Sequence, residues 1–270
     1  MPGNGFQWHF VNGLLKSYLY NITAIKSYIK PSKNIDFYIV PVLNIDGFVY
    51  SWTTDRLWRK SRSPHNNRTC FGVDLNRNFD SKWCSIGAST NCSSLTFCGT
   101  GPASEPEVHA VQQLMNRLKS DILGFLTIHS YGQLILLPYG YTRNPSVNHE
   151  EMLSIGEKAA ARLTQIHGTK YRVGSASHIL YNNSGSSRDW ATDLGIPLSY
   201  TFELRDNGTD GFILPADQIK PTCEETTVAI LSIIEYLNEK YFNSASIIFS
   251  GTLWINLSFS VLIGTYYSLF

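Results

Sequence analysis

The chain has 270 residues, 43% of them hydrophobic and 16% charged, a globular composition slightly poor in charge. The formal net charge is +1, and there is neither a long basic run nor an internal repeat. Composition therefore gives no electrostatic case for nucleic acid or for a strongly acidic partner.

In chain order, the apolar spacing of residues 14–29 predicts a helix. "IDFYIVPVLN" (35–44) reads as a buried strand, followed by a turn at Asn-Ile-Asp-Gly. Residues 51–102 are rich in Ser, Asn, Arg, Gly and Cys and read as irregular structure. Residues 104–120 read as a helix with acidic residues in its first turn. "ILGFLTIHS" and "QLILLPYGY" read as strands, and 150–168 as a helix stopped by glycine. Residues 196–206 read as a further strand. A last helix starts near Thr222, with Ile230, Ile234, Leu237 and Tyr241 on one face. Strands alternating with helices predict an α/β domain.

Four of the five cysteines, Cys70, Cys84, Cys92 and Cys98, cluster, and Cys223 stands apart. No Cys-x-x-Cys pair occurs, so two disulfides are favoured over a zinc ribbon, which places the chain in an oxidising compartment. Sequons at Asn21, Asn67, Asn91, Asn182, Asn207 and Asn256 agree. The opening "MPGNGFQWHF" lacks the basic and apolar regions of a signal peptide, so a fragment or a shortened start is expected. No charged residue follows Lys240, and residues 247–270 are long and apolar enough to span a bilayer. Small residues at 244–246 precede this tail, the pattern of a glycolipid-anchor signal, although the polar spacer is poor. A retained tail-anchor helix and a core helix are the alternatives. The expected division is a main domain over 1–242, incomplete at its start, and an apolar tail over 243–270.

Chemistry-bearing side chains recur at strand ends and in loops: Arg56, Arg59 and Arg62 in "RLWRKSRS", Asn76 and Arg77 in "VDLNRNFD", His129 and Tyr131 in "IHSYG", Tyr181 and Arg188 in "LYNNSGSSRDW". Glu203 lies inside the apolar strand "TFEL". A carboxylate there is costly to bury unless paired or functional, and a salt bridge to Arg205 is the structural alternative. For Arg188 that alternative is a salt bridge to Asp189.

These stretches, with "NIDGF" and "SYTFELRDNGTDGFILPADQI", resemble the pancreatic-type zinc carboxypeptidases, the M14 metallopeptidases, over residues 6–241. The resemblance implies an α/β fold with a mixed, mostly parallel sheet flanked by helices. It implies one zinc ion with His129 as a protein ligand, Glu203 as general base and acid, and Arg59 as the group that polarises the scissile carbonyl. Asn76, Arg77, Tyr131 and Tyr181 would bind substrate, the terminal carboxylate above all. Arg188 at the pocket floor would favour peptide C-termini ending in Glu or Asp. The resemblance also implies Cys70–Cys92 and Cys84–Cys98 disulfides and a buried thiol at Cys223.

The family also holds zinc with a His-x-x-Glu pair, and none of the seven histidines is followed by Glu at the third position. In the family that motif lies ahead of the segment resembling "FQWHFV" (6–11), so it is expected before Met1, and the family's first strands with it. A zinc site of this type needs three protein ligands. The chain as written is thus expected to be a poor enzyme and a poor folder. The alternative is a non-catalytic, membrane-attached binder of peptide C-termini. A serine hydrolase has no support, since no G-x-S-x-G occurs.

Overall fold

The structure is a computed structural model and describes residues 35–243 together with the strand 259–265. The helix expected over 14–29 lies outside the described residues. Strand β1 (Ile35–Val40) opens the described fold. Helix α1 (Ile45–Thr53) follows where a turn was expected, because Asn44 caps it: its Oδ1 accepts from the Gly47 amide at 3.1 Å. The Asn44 amide also donates to the Lys60 carbonyl at 3.0 Å, so the same cap holds the loop that carries Arg59.

Beyond α1 the chain is largely irregular up to residue 105, as its composition predicts. It contains a two-stranded antiparallel pair, β2 (Pro64–His65) and β3 (Cys70–Phe71), and the disulfides Cys70–Cys92 and Cys84–Cys98. Helix α2 (Pro106–Leu118) leads into β4 (Ile122–Ser130) and β5 (Leu134–Leu137). Helix α3 (His149–His167) ends at Gly168, whose φ of +78° supplies the left-handed cap the sequence called for. Then come β6 (Arg172–Ser175), the short α4 (Ala176–Ile179) and α5 (Ser187–Asp193), and β7 (Leu198–Leu204). Helix α6 (Ile219–Asn238) starts three residues earlier than expected and buries Cys223. Within the apolar tail, Phe259–Thr265 form strand β8.

The sheet order is β1-β8-β4-β7-β5-β6, parallel throughout except for β5 against β7. β8 runs between β1 and β4, with Phe37 opposite Val261 and Phe125 opposite Leu262. Helices cover both faces, so the central strands are apolar on both sides. On one face Leu126 and Ile128 pack with residues of α3 and α6. On the other Phe125 packs with Met115 of α2, Trp190 of α5 and the loop residues Leu75 and Phe79. Strand alternation puts Thr127 and His129 on this second face with Phe125.

That face is closed by a loop-to-loop lock. The Phe79 amide donates to the Gly185 carbonyl at 3.0 Å and the Gly185 amide to the Ser81 carbonyl at 2.8 Å. Gly185 has φ +71°, and a Cβ there would lie 2.3 Å from the Arg77 carbonyl oxygen. Gly185→Ala is expected to destabilise the fold by about 1–3 kcal/mol through backbone strain, read as a lower urea midpoint. An unchanged midpoint would show that the lock does not form.

Candidate active site

The centre of the site is one rung of the sheet. His129 at the end of β4 and Glu203 in β7 are directly opposite in the parallel ladder. Both are buried, with His129 Nδ1 4.0 Å from Glu203 Oε1. Burial pushes the Glu203 carboxyl up to about 8, with Arg59, Arg188 and Arg77 pulling the other way. Burial, reinforced by the same guanidiniums, holds the His129 imidazole well below its ordinary 6.5. The rung therefore carries a neutral imidazole and a carboxyl group that exchanges a proton near neutrality. Glu203 Oε2 is buried with no hydrogen-bond partner among the described residues. The structural alternative for Glu203 fails: Arg205 pairs instead with Glu225 and donates to Gln218 at 2.6 Å.

Three buried guanidiniums surround the rung. Arg59 gives Nε and Nη2 to Asp74 Oδ2 at 3.0 and 2.6 Å. Arg77 donates to the Tyr181 hydroxyl at 3.3 Å and to the Gly87 and Asn76 carbonyls at 2.9 Å each, with Asp74 3.9 Å away. Asn76 Oδ1 accepts from the Ser187 amide at 3.0 Å, which ties this loop to the start of α5.

Arg188 lies one layer deeper. Thr127 and Thr201 form the rung two residues before His129 and Glu203 and share their face, with a 3.0 Å hydrogen bond between the hydroxyls. Arg188 Nη1 approaches Thr201 Oγ1 at 3.4 Å. At two residues per pleat, that contact lies about 6.6 Å along the sheet from the Glu203 rung. The salt bridge to Asp189 also forms, at 3.0 Å.

Arg59, Asn76, Arg77, His129, Tyr181, Arg188 and Glu203 are thus brought to one side of the sheet. Tyr131 stands slightly apart and packs edge-on against Phe212, 4.6 Å between ring centres, beside the exposed stretch 207–210. Asp74, Thr127 and Thr201 were not singled out from sequence, and Asp189 only as the alternative partner of Arg188. Asp74 carried a signal, a lone acid beside the apolar Val73 and Leu75 in the same motif as Arg77. The threonines carried none, since their role depends on strand register.

Residues 3–229 match the family described as zinc carboxypeptidase. The chain belongs to that family. It is 66% identical over 200 residues to carboxypeptidase O of Bos taurus, covering 74% of this chain and 53% of that protein. It is 47% identical over 196 residues to bovine carboxypeptidase B, covering 73% and 47%. Among solved structures, thrombin-activatable fibrinolysis inhibitor superposes with a TM-score of 0.81 at 44% identity, covering 85% of this chain and 58% of that one. The bovine form of that inhibitor, in complex with tick carboxypeptidase inhibitor, gives 0.76 at 45% identity, covering 82% and 76%. The chain spans about half the length of the curated relatives it matches.

The family implies zinc. His129, held neutral at a strand end, suits one donor position. Among the described residues no group of three or more His, Cys, Asp or Glu is placed to complete a ligand set. No step below is routed through the metal.

Asp74→Asn is expected to cost about 3–5 kcal/mol, because it leaves Arg59 buried without its counter-charge; chemical unfolding measures it, and a loss under about 1 kcal/mol would show that the pair is not buried. Glu203 gives a pH signature. Its folded pKa of about 8 exceeds the ordinary 4.5, so its contribution is fully present below pH 4.5 and is lost as pH rises through 8. In chelator, the stability of Glu203→Gln relative to the parent chain should therefore rise from pH 5 to pH 8. A flat difference would contradict the buried carboxyl. His129 contributes oppositely, losing stability as pH falls below 6.5, and is common to both proteins.

Proposed function

We propose that the chain carries the substrate-handling residues of a zinc-dependent exopeptidase that hydrolyses the C-terminal peptide bond and prefers acidic C-terminal residues. The observation that carries this reading is the convergence of three buried guanidiniums on the His129–Glu203 rung. Arg77, with Tyr181 and Asn76 beside it, presents donors to a free terminal carboxylate, which restricts binding to chain ends. Arg188, one layer below, meets the terminal side chain. It favours Glu or Asp and disfavours Lys and Arg. Arg59, fixed by Asp74, stabilises negative charge growing on the scissile carbonyl oxygen.

Glu203 moves the proton. As carboxylate it accepts a proton from water while the water oxygen bonds to the carbonyl carbon. As acid it delivers that proton to the amide nitrogen as the C–N bond breaks. Burial lifts its carboxyl above the ordinary carboxylate range, which makes it a stronger base than an exposed glutamate. Zinc, when bound, supplies Lewis acidity to this site, with His129 holding one position.

No histidine in the 270 residues is followed by Glu at the third position. We therefore propose that this chain alone holds zinc weakly and hydrolyses peptides slowly. A second reading follows, in which it binds peptide C-termini without cutting them. The two disulfides support a secreted protein, as do sequons at exposed Asn67, Asn91, Asn182 and Asn207. In this reading it works at the extracellular face of the plasma membrane, held by a lipid anchor or by the apolar tail, and a tether through the tail requires that β8 leave its place between β1 and β4. No helix among the described residues is long and apolar enough to cross a membrane.

The purified chain tests this directly. Well under one zinc per chain, no release of glutamate, and saturable binding of a Glu-terminated peptide but not its amide are expected. One equivalent of zinc with glutamate release would overturn the weak-zinc reading. Equal binding of acid and amide would overturn recognition of the chain end.

A further inference from the structure

Asp189 has no part in the chemistry above, yet its side chain is completely buried beside Arg188. Its Oδ1 accepts from Arg188 Nε at 3.0 Å and lies 3.0 Å from Nη2. Its Oδ2 accepts from the Gly140 amide at 2.8 Å, which ties α5 to the loop after β5. Both carboxylate oxygens are therefore committed, and Asp189 cannot turn away without losing the Gly140 contact. A guanidinium has a side-on edge, formed by Nε and one Nη, and an end-on edge formed by both Nη groups. Asp189 occupies the side-on edge. Among the described residues the end-on edge meets Thr201 Oγ1 and Ser186 Oγ, each at 3.4 Å, near the limit of a hydrogen bond.

We propose that Asp189 is a positioning residue for acidic specificity: it fixes Arg188 by the side-on edge, so that the end-on edge meets the side-chain carboxylate of a C-terminal Glu. The inference rests on the substrate reading above. Asp189 also balances the charge of Arg188, so recognition depends on geometry rather than on an uncompensated cation. A bidentate fork rewards a carboxylate at one angle and gives little to the isosteric amide of Gln. In Asp189→Asn, the amide oxygen still accepts from Gly140. The amide NH2 then faces the Arg188 donors, and the guanidinium is pushed off its line.

The test is the affinity of the chain for two short peptides that differ only in ending with Glu or with Gln. The parent chain should favour Glu by about tenfold or more, one bidentate charged contact. Asp189→Asn should reduce this preference below about threefold, with the Gln peptide bound as before, whereas general loosening would weaken both. An undiminished preference in Asp189→Asn would overturn the proposal and leave the acidic pocket standing. No preference in the parent chain would overturn the pocket itself, and the proposal with it. If Asp189→Asn does not fold, the parent chain decides by nitrogen NMR of Arg188. Adding the Glu peptide should move the Nη resonances and leave Nε in place, and an Nε shift as large as the Nη shift would overturn the side-on assignment.

Discussion

Burial of charge at the β4–β7 seam is the constraint on which the rest of the site depends. Three guanidiniums and a carboxyl group sit where water does not reach. Removing such groups from water costs several kcal/mol each unless partners are supplied with correct geometry. Asp74 and Asp189 supply them for Arg59 and Arg188, and Tyr181 with backbone carbonyls serves Arg77. Glu203 meets the same constraint differently, with burial raising its pKa until the neutral form competes. Three cations stand against two fixed carboxylates, and the remaining positive charge suits a ligand that brings carboxylates of its own.

The architecture serves this arrangement by holding irregular backbone rigidly. The loop with Arg59, Asn76 and Arg77 has almost no regular hydrogen-bond ladder and would lose its order to chain entropy if left alone. It is tied instead by two disulfides, by the Asn44 cap, and by Asn78, whose amide donates to the Cys98 carbonyl at 2.7 Å. Gly185 then presses the loop with Tyr181 and Arg188 against it. Few of these fastening groups touch the place where a substrate would lie, yet they set the spacing of those that do.

Much of this was legible in the sequence. The chain's motifs resembled one family closely enough to name Arg59, Asn76, Arg77, His129, Tyr181, Arg188 and Glu203, and the structure gathers them on one side of the sheet. Hydrophobic runs marked β4, β5, β7 and the long helices within a few residues, because a strand buried on both faces and a helix with an apolar stripe leave different periodicities. The short α5 escaped notice, since seven residues carry too little pattern. The turn expected at Asn44 became a helix cap, because the same Asn-Ile-Asp-Gly string serves either end.

The sequence by itself determined the oxidised cysteine cluster and the α/β class, since these follow from composition and local order, and its motifs named the residues of the site through the family they resemble. Only the tertiary structure decided which charges are paired. Glu203 and Arg205 are two residues apart and do not pair, because Arg205 reaches Glu225 on α6; Arg188 and Asp189 are adjacent and do pair, because helix packing turns both into the same buried layer. Register set the rest: Thr201 lies under Glu203, and His129 lies beside it, only because β4 and β7 align residue for residue across a gap of more than seventy positions in the chain.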